Sequence, residues 1–373
     1  MTRPIYVTQP FLPPLADYVR MLEGIWERRV LTNGGPLHTE LESRLSDYLE
    51  APAVSLAANG ALALEIAIEA ASLQGEVITT PYSFVATTHS VLRGQLEPVF
   101  VDINPDDFNI NAARIEESIT DRTTAIVAVH CYGNPCDVAA VEEIAQRHDL
   151  TVIYDAAHAF GVRLNGRSLF SWGDYSIVSF HATKTFQTFE GGAICMNRAA
   201  SKALIDSLKN FGIESETSIP GVGTNAKMSE LNAAMGLLQL KYIDQIRAAR
   251  AQVDARYRRD LAQIDGIIVP EFPPGVEPNY SYFPILVTDA FPIRRDALYE
   301  RLKERAIFSR RYFYPLLSSL EMYSDRASAD PANLPVANGI AQQILCLPIY
   351  PELTSADQDF IIAAILEIGA GDG

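Results

Sequence analysis

The chain has 373 residues, 48% hydrophobic and 20% charged, which is enough apolar material for a sizeable core and enough length for one broad domain plus a smaller one. Asp and Glu number 46 against 30 Lys and Arg, a formal net charge of -16 with no Lys/Arg run to offset it. That field argues against nucleic acid and anionic membrane as partners, while a helix N-terminus or a few placed cations still suffice for a small anionic ligand.

The opening segment, MTRPIYVTQPFLPPL, lacks the apolar run of a secretory signal, and no stretch of about 18 apolar residues is present to span a bilayer. From about Val54 to Cys195, short β-branched runs alternate with helical patterns. The predicted strands are Ala53–Leu56, Val77–Thr79, Pro98–Val101, Ala125–Val129, Thr151–Tyr154, Tyr175–Ser179 and Ala193–Cys195, with helices such as Ala61–Ala71 and Val138–His148 between them. Apolar strands separated by helices predict an α/β fold: a three-layer, mostly parallel, seven-stranded sheet covered on both faces. A long helical pattern runs from about Met228 to Leu261, and a Pro- and Gly-rich stretch, GIIVPEFPPGVEPN, follows it. Beyond that, Tyr282–Val287 and helices near Arg295–Arg305, Ala337–Leu345 and Ser355–Leu366 predict a smaller α+β C-terminal domain. The expected division is 1–247 and 248–373.

Four cysteines, Cys131, Cys136, Cys195 and Cys346, form one C-x4-C pair and no second pair. This is weak evidence for zinc, so free thiols, no metal and a reducing cytoplasm are expected.

In a parallel sheet, ligands gather at the carboxyl ends of the strands. Thr151-Val-Ile-Tyr-Asp155 ends in an acid, and Ser176-Ile-Val-Ser-Phe180 runs into His-Ala-Thr-Lys184 before a Gly191-Gly192 turn. A carboxylate, hydroxyls and an amine thus emerge near strand ends of one sheet. Singly, each has a plainer reading: a lone Lys is usually solvated, Asp155 can cap a helix starting at Ala156, and Asn59-Gly60 is equally an N-cap turn or a phosphate-binding helix start.

The combination goes further. LTNGGP (31–36), AANGALAL (57–64), PYSFVAT (81–87), VHCYGNPCD (129–137), YDAAHAFG (154–161), SFHATKTFQTFEGGA (179–193), TNAKMSELNAAMGLLQL (224–240), RRYFYPL (310–316) and LPIYP (347–351) occur in this order. With these landmarks the chain resembles, over nearly its whole length, the DegT/DnrJ/EryC1/StrS sugar aminotransferases, which have the type I fold of aspartate aminotransferase and use pyridoxal 5'-phosphate (PLP). The resemblance implies that Lys184 is the Schiff-base lysine and that Asp155 faces the pyridine nitrogen, where an anion favours the protonated, electron-accepting ring. Phe84 matches the aromatic residue that stacks on the ring. Ser179 and the Gly60 and Ala61 amides match the phosphate site, with Ala61 standing where the family usually has Thr. His158 replaces the usual Gln near the ring oxygen; either can donate to it, but a His could also titrate. Asn225 matches a residue that reaches the phosphate from a neighbouring subunit, which implies a homodimer with shared active sites.

FHATK is similar to the members acting on nucleotide-linked 6-deoxy-4-keto sugars. His181 is therefore read as contacting the sugar or its phosphates, or as packing. Arg311 and Tyr314 lie in a segment that touches substrate in relatives, where an Arg could receive a diphosphate or the glutamate carboxylate, or stay solvated. Leu316 and Leu317 stand where many relatives have a His. The implied activity is amino transfer from L-glutamate to C4 of a dTDP-4-keto-6-deoxyhexose. The alternatives are C3 amination of a dTDP-3-keto-6-deoxyhexose, a PLP-dependent sugar dehydratase, which Lys184 argues against because such relatives have His there, and a non-catalytic sugar-nucleotide sensor, which the presence of both Lys184 and Asp155 argues against.

Overall fold

The structure is a computed structural model that describes residues 3–371; residues 1–2 and 372–373 of the two expected ranges lie outside the described residues. All seven predicted strands form, each within one or two residues of its expected bounds: β1 (Ala53–Ala57), β2 (Glu76–Thr79), β3 (Glu97–Phe100), β4 (Thr123–Val129), β5 (Thr151–Asp155), β6 (Tyr175–Ser179) and β7 (Gly192–Met196). They make one sheet in the order β1-β7-β6-β5-β4-β2-β3. Only β7 runs antiparallel to its neighbours, pairing Gly192 with Ala57 on one side and with Ser179 on the other. The remaining pairs are parallel, so β5 and β6 deliver Asp155 and Ser179 to the same end of the sheet.

Both faces of this sheet are buried, which is why its strands read as continuous apolar runs. Alternate residues serve opposite cores: Val178, Ala193 and Cys195 pack with helix α2 (Pro36–Leu49) through Leu41, Leu45 and Leu49. Ile177, Ile194 and Met196 pack with helix α3 (Gly60–Ala70) through Leu64 and Ala67. Helix α1 (Leu15–Arg28) precedes these, and α4 (Val85–Arg93), α5 (Val138–His148) and α6 (Lys202–Leu208) complete the layers around the sheet.

Helix α7 (Glu230–Leu261) runs unbroken through residue 247, where the division was expected. Its first half contributes Ala233 and Ile243 to the core of the large sheet, and its second half contributes Val253, Tyr257 and Leu261 to a separate C-terminal core. That second core surrounds an antiparallel sheet in which β8 (Phe283–Val287) pairs with β9 (Ile344–Leu347) and with Ile267–Ile268. Helices α8 (Arg295–Glu304), α9 (Pro335–Gln343) and α10 (Ser355–Ala370) cover the sheet, and α10 begins with a capping box between Thr354 and Asp357. Ile5 joins this C-terminal core and pairs with Ile307, so the segment at Ile5–Tyr6 packs with the C-terminal core rather than with the large sheet. Among the described residues no helix is long and apolar enough to cross a membrane.

Candidate active site

A cavity of about 330 Å³ opens at the carboxyl ends of β5 and β6. Asp155, Lys184, His158 and Ser179 line it together with Gly60, Ala61, Phe84 and His181, so eight residues singled out from the sequence meet in one space.

The sheet and α3 explain the part formed by Gly60 and Ser179. Asn59 caps α3 by accepting the Leu62 N–H at 2.9 Å. The N–H groups of Gly60 and Ala61 lie in the first turn and have no intrahelical acceptor. Both backbones come close here: a Cβ on Gly60 would sit 2.9 Å from Ser179 Cβ, and one on Gly192 would sit 2.7 Å from Gly60 N. Only glycine at both positions lets β7 press the helix start against Ser179, leaving a concave rim of N–H groups and a hydroxyl that suits an anion.

Asp155 ends β5, is 8% exposed, and has a donor on each oxygen. Thr87 Oγ1 donates to Oδ2 at 2.7 Å and the Ala157 N–H to Oδ1 at 3.1 Å; Ser83 Oγ lies 2.8 Å from Thr87 Oγ1 behind them. Burial nevertheless holds the Asp155 carboxyl above its usual range, against the opposing pull of Thr87, Ala157 and Lys184. Lys184 sits on the excursion from β6 to β7, its N–H bonded to the His181 carbonyl at 2.9 Å. Its exposed part faces the cavity, and burial brings its amine down to about 8, with Asp155 and Tyr312 pulling the other way. Burial thus disfavours the charged form of both groups, and a cationic aromatic ring beside Asp155 would favour its carboxylate.

His158 is 5% exposed, and its Nδ1 accepts the Tyr132 N–H at 3.2 Å. The proton of the neutral ring is therefore on Nε2. Burial, with Lys184 next, pushes the imidazole well below its ordinary pKa, so it stays neutral. Phe84 keeps 58% of its surface exposed while lining the cavity, leaving it free to meet a ring. At the rim, His181 Nδ1 accepts the Thr183 N–H at 3.2 Å, which turns Nε2 toward Glu190 Oε1 at 3.6 Å.

Three expected residues are not brought to the cavity of this chain. Asn225 is exposed, with its Oδ1 accepting from Lys227 Nζ at 2.7 Å. Arg311 pairs with Asp296 at 2.8 Å and lies over the rings of Tyr299 and Tyr314, while Tyr314 lies under Arg295 at 4.8 Å. Both belong to a cluster built on α8. Their neighbours Tyr312 and Phe313 line the cavity instead, because Tyr82 and Tyr132 both donate to the Tyr312 carbonyl and pin that loop over it.

Sequence reasoning missed Ser83, Thr87, Glu190 and Tyr282. Ser83 and Thr87 stand inside a landmark segment at i, i+4 spacing around the start of α4, a pattern that places both hydroxyls on one side. Glu190 lay beside the Gly-Gly turn, and Tyr282 had been taken as the first residue of a strand. The four cysteines are buried free thiols, and among the described residues no group of three or more His, Cys, Asp or Glu is placed to hold a metal.

Residues 16–366 match the model of the DegT/DnrJ/EryC1/StrS aminotransferase family, and the chain belongs to that family. A dTDP-4-amino-4,6-dideoxy-D-glucose transaminase from Shigella dysenteriae is 50% identical over 369 residues, 99% of this chain and 100% of that protein. The crystal structure of DesI in the presence of its TDP-sugar product superposes with a TM-score of 0.95 at 34% identity, covering 100% of this chain and 94% of that one. NtdA from Bacillus subtilis, solved with bound cofactor PMP, the aminated form of PLP, matches at 0.88 with 28% identity, covering 98% of this chain and 86% of that one. The protein is a PLP-dependent aminotransferase. Its own cavity fits that cofactor: an anion cradle closed by two glycines, a buried carboxylate whose charged form burial disfavours, a neutral donor at His158 and an amine of lowered basicity.

Proposed function

We propose that the protein moves an amino group from L-glutamate to C4 of a dTDP-4-keto-6-deoxyhexose, giving a dTDP-4-amino-4,6-dideoxyhexose and 2-oxoglutarate. The observation that carries this reading is the convergence of Lys184 and Asp155 on one cavity in a chain half identical to a transaminase named for that product. PLP, when bound, supplies an aldehyde for an amine to engage and a ring that accepts electron density.

The chain's own groups divide the work. Ser179 Oγ and the Gly60 and Ala61 N–H groups hold the phosphate. Phe84 would cover one ring face, and His158 would donate from Nε2 to the ring oxygen. Asp155, whose two oxygens accept from Thr87 and Ala157, would hold the proton on the ring nitrogen, and that cation would in turn favour its carboxylate. Lys184 takes the donor's Cα proton and later returns it. An amine with a pKa of about 8 is mostly protonated near neutral pH, but a far larger fraction of it is neutral than of an ordinary lysine, which suits both directions of transfer. His181, paired with Glu190, meets the sugar at the rim.

We further propose a homodimer with shared active sites. Lys184 is the only Lys or Arg among the described residues lining the cavity, so the carboxylate of glutamate and the diphosphate of the sugar need cations from elsewhere. Asn225 faces out of its own chain, and Leu15, Val19 and Trp26 on α1 and Ile219 and Val222 are exposed apolar groups for a second copy to cover. Arg311 and Tyr314, committed to the α8 cluster, would contact substrate only if Asp296 released the guanidinium. The division into 1–247 and 248–373 is kept as a reading of two cores that share α7, and the four free thiols fit a cytoplasmic setting.

The test is incubation with glutamate and both the 4-keto and 3-keto dTDP-6-deoxyhexoses, with NMR of the product. Nitrogen at C4 is the expected outcome; nitrogen at C3 alone would overturn the substrate assignment and leave the fold intact.

A further inference from the structure

We infer that Tyr282 is a positioning residue for the Lys184 amine, delivered to the large domain's cavity by the C-terminal core. This rests on the reading of Lys184 as the proton-moving amine. Lys184 Nζ donates to Tyr282 Oη at 3.3 Å and stands 5.7 Å from the centre of its ring. The ring is fixed on three sides: edge-on to His158 at 4.8 Å, edge-on to Tyr312 at 5.6 Å and tilted on Tyr132 at 5.7 Å.

The backbone that carries it is anchored more firmly than a strand start requires. Asn279 Nδ2 donates to the carbonyls of His158 at 2.8 Å and Phe160 at 3.0 Å, and Ser281 Oγ donates to the same His158 carbonyl at 2.9 Å. Thr185, next to Lys184, lies 3.0 Å from Ser281 Oγ through its hydroxyl. From behind, Arg250, 2% exposed, donates to the carbonyls of Tyr280, Ser281 and Ile349. Residues 279–282 therefore tie the Asp155–Phe160 loop and the Lys184 loop to α7 and to the C-terminal core. An amine on a long flexible stem must be held to a fraction of an ångström for proton transfer. Among the described residues Tyr282 supplies the one phenol in hydrogen-bond contact with it, and burial keeps that phenol protonated. The charged and titratable groups facing the amine are Asp155, His158, Tyr282 and Tyr312.

The test uses Tyr282→Phe, which removes one oxygen and keeps the ring. In the cofactor-free chain, competitive acylation across pH with mass spectrometry of the Lys184 peptide reads the amine directly. Because Oη accepts from Nζ, its loss lowers the labelling midpoint by about one pH unit. Ser281→Ala, which loosens the anchor, shifts it the same way by less. In the loaded enzyme kcat falls about tenfold with KM for glutamate little changed, and the isotope effect with Cα-deuterated glutamate rises. A labelling curve that overlays the wild type, or a kcat within about twofold of it, overturns the inference. Turnover retained by Lys184→Ala would instead sink the underlying reading of Lys184, whatever Tyr282 does.

Discussion

Burial acts on charge in two places in this molecule, with opposite results. At the edge of the sheet, Glu42 on α2 accepts from Lys202 at 2.9 Å and Lys209 at 3.3 Å, and Lys209 also reaches Asp206 at 2.8 Å. Burial raises the Glu42 and Asp206 carboxyls, but the two lysines outweigh it, and both end below their ordinary values. The same cluster closes the edge strand, because Glu42 accepts the Leu56 N–H and Lys202 donates to the Val54 carbonyl. In the cavity, burial wins instead: Asp155 is raised and Lys184 lowered. Charges that are satisfied hold the fold together, and charges left unsatisfied are waiting for a ligand to complete them.

The largest effect that can break this contrast is Lys184→Met. Turnover should fall by at least about 10³-fold, measured as glutamate-dependent amination of the keto sugar. The cofactor-free variant should at the same time be more stable than the wild type. The Lys184 amine is depressed from 10.5 to about 8, so its contribution is fully present above 10.5 and is lost as pH falls through 8. At neutral pH the wild type carries that penalty, up to about 3 kcal/mol, and Met removes it. A variant less stable than the wild type in urea would show that Lys184 is compensated after all.

Glu42→Gln probes the other cluster and should do the reverse. It leaves Lys202 and Lys209 short of a partner and should cost about 3 kcal/mol in denaturant unfolding, with the cavity chemistry untouched. The depressed carboxyls of Glu42 and Asp206 contribute stability above their ordinary values of 4.5 and 3.8 that is lost as pH falls. The variant's unfolding should therefore depend less on pH in that acid range. A loss under about 1 kcal/mol would mean that the edge ion pairs are loose, like exposed ones.

The contrast also marks what could be read from sequence. The seven strands were legible because a sheet buried on both faces writes itself as short apolar runs, and Asp155, Ser179 and Lys184 were legible because parallel strands deliver their last residues to one edge. The edge cluster was not, since Glu42, Lys202 and Lys209 are 160 and 167 residues apart and look like ordinary surface charges on helices. The place of Arg311 was not legible for a related reason: the sequence cannot say that Tyr82 and Tyr132 pin the carbonyl of Tyr312, so that Tyr312 and Phe313 face inward and Arg311 turns to Asp296. The boundary near 247 was drawn where the pattern gives no break, because α7 changes the core it serves without changing its helical period.

Thr87→Val sharpens the cavity side with a smaller change. It keeps the shape and removes the hydroxyl that donates to Asp155 Oδ2, leaving that oxygen without its donor. A buried hydrogen bond to a carboxylate contributes about 1.5–3 kcal/mol, so cofactor affinity measured by absorbance titration should weaken about 10- to 100-fold. The Asp155 carboxyl, already raised by burial, should rise further, so the loss deepens as pH falls. An affinity equal to the wild type would mean that the Ala157 N–H alone suffices.

The smallest effect is expected from His158→Gln, and its smallness is the informative part. A His at this position invites the idea of a titrating group, with activity changing as the imidazole takes a proton. The geometry gives Nδ1 no proton to carry, because the Tyr132 N–H already points at it, and burial plus the Lys184 charge hold the ring neutral well below its ordinary 6.5. What remains is one fixed N–H donor at Nε2, which an amide can imitate. The variant should therefore keep activity within about fivefold, and its pH profile should lack no limb that the wild type shows between 6 and 8. A wild-type limb in that range that vanishes with Gln would assign a proton-moving role to His158, and the imidazole would then have to break its bond to Tyr132 during turnover.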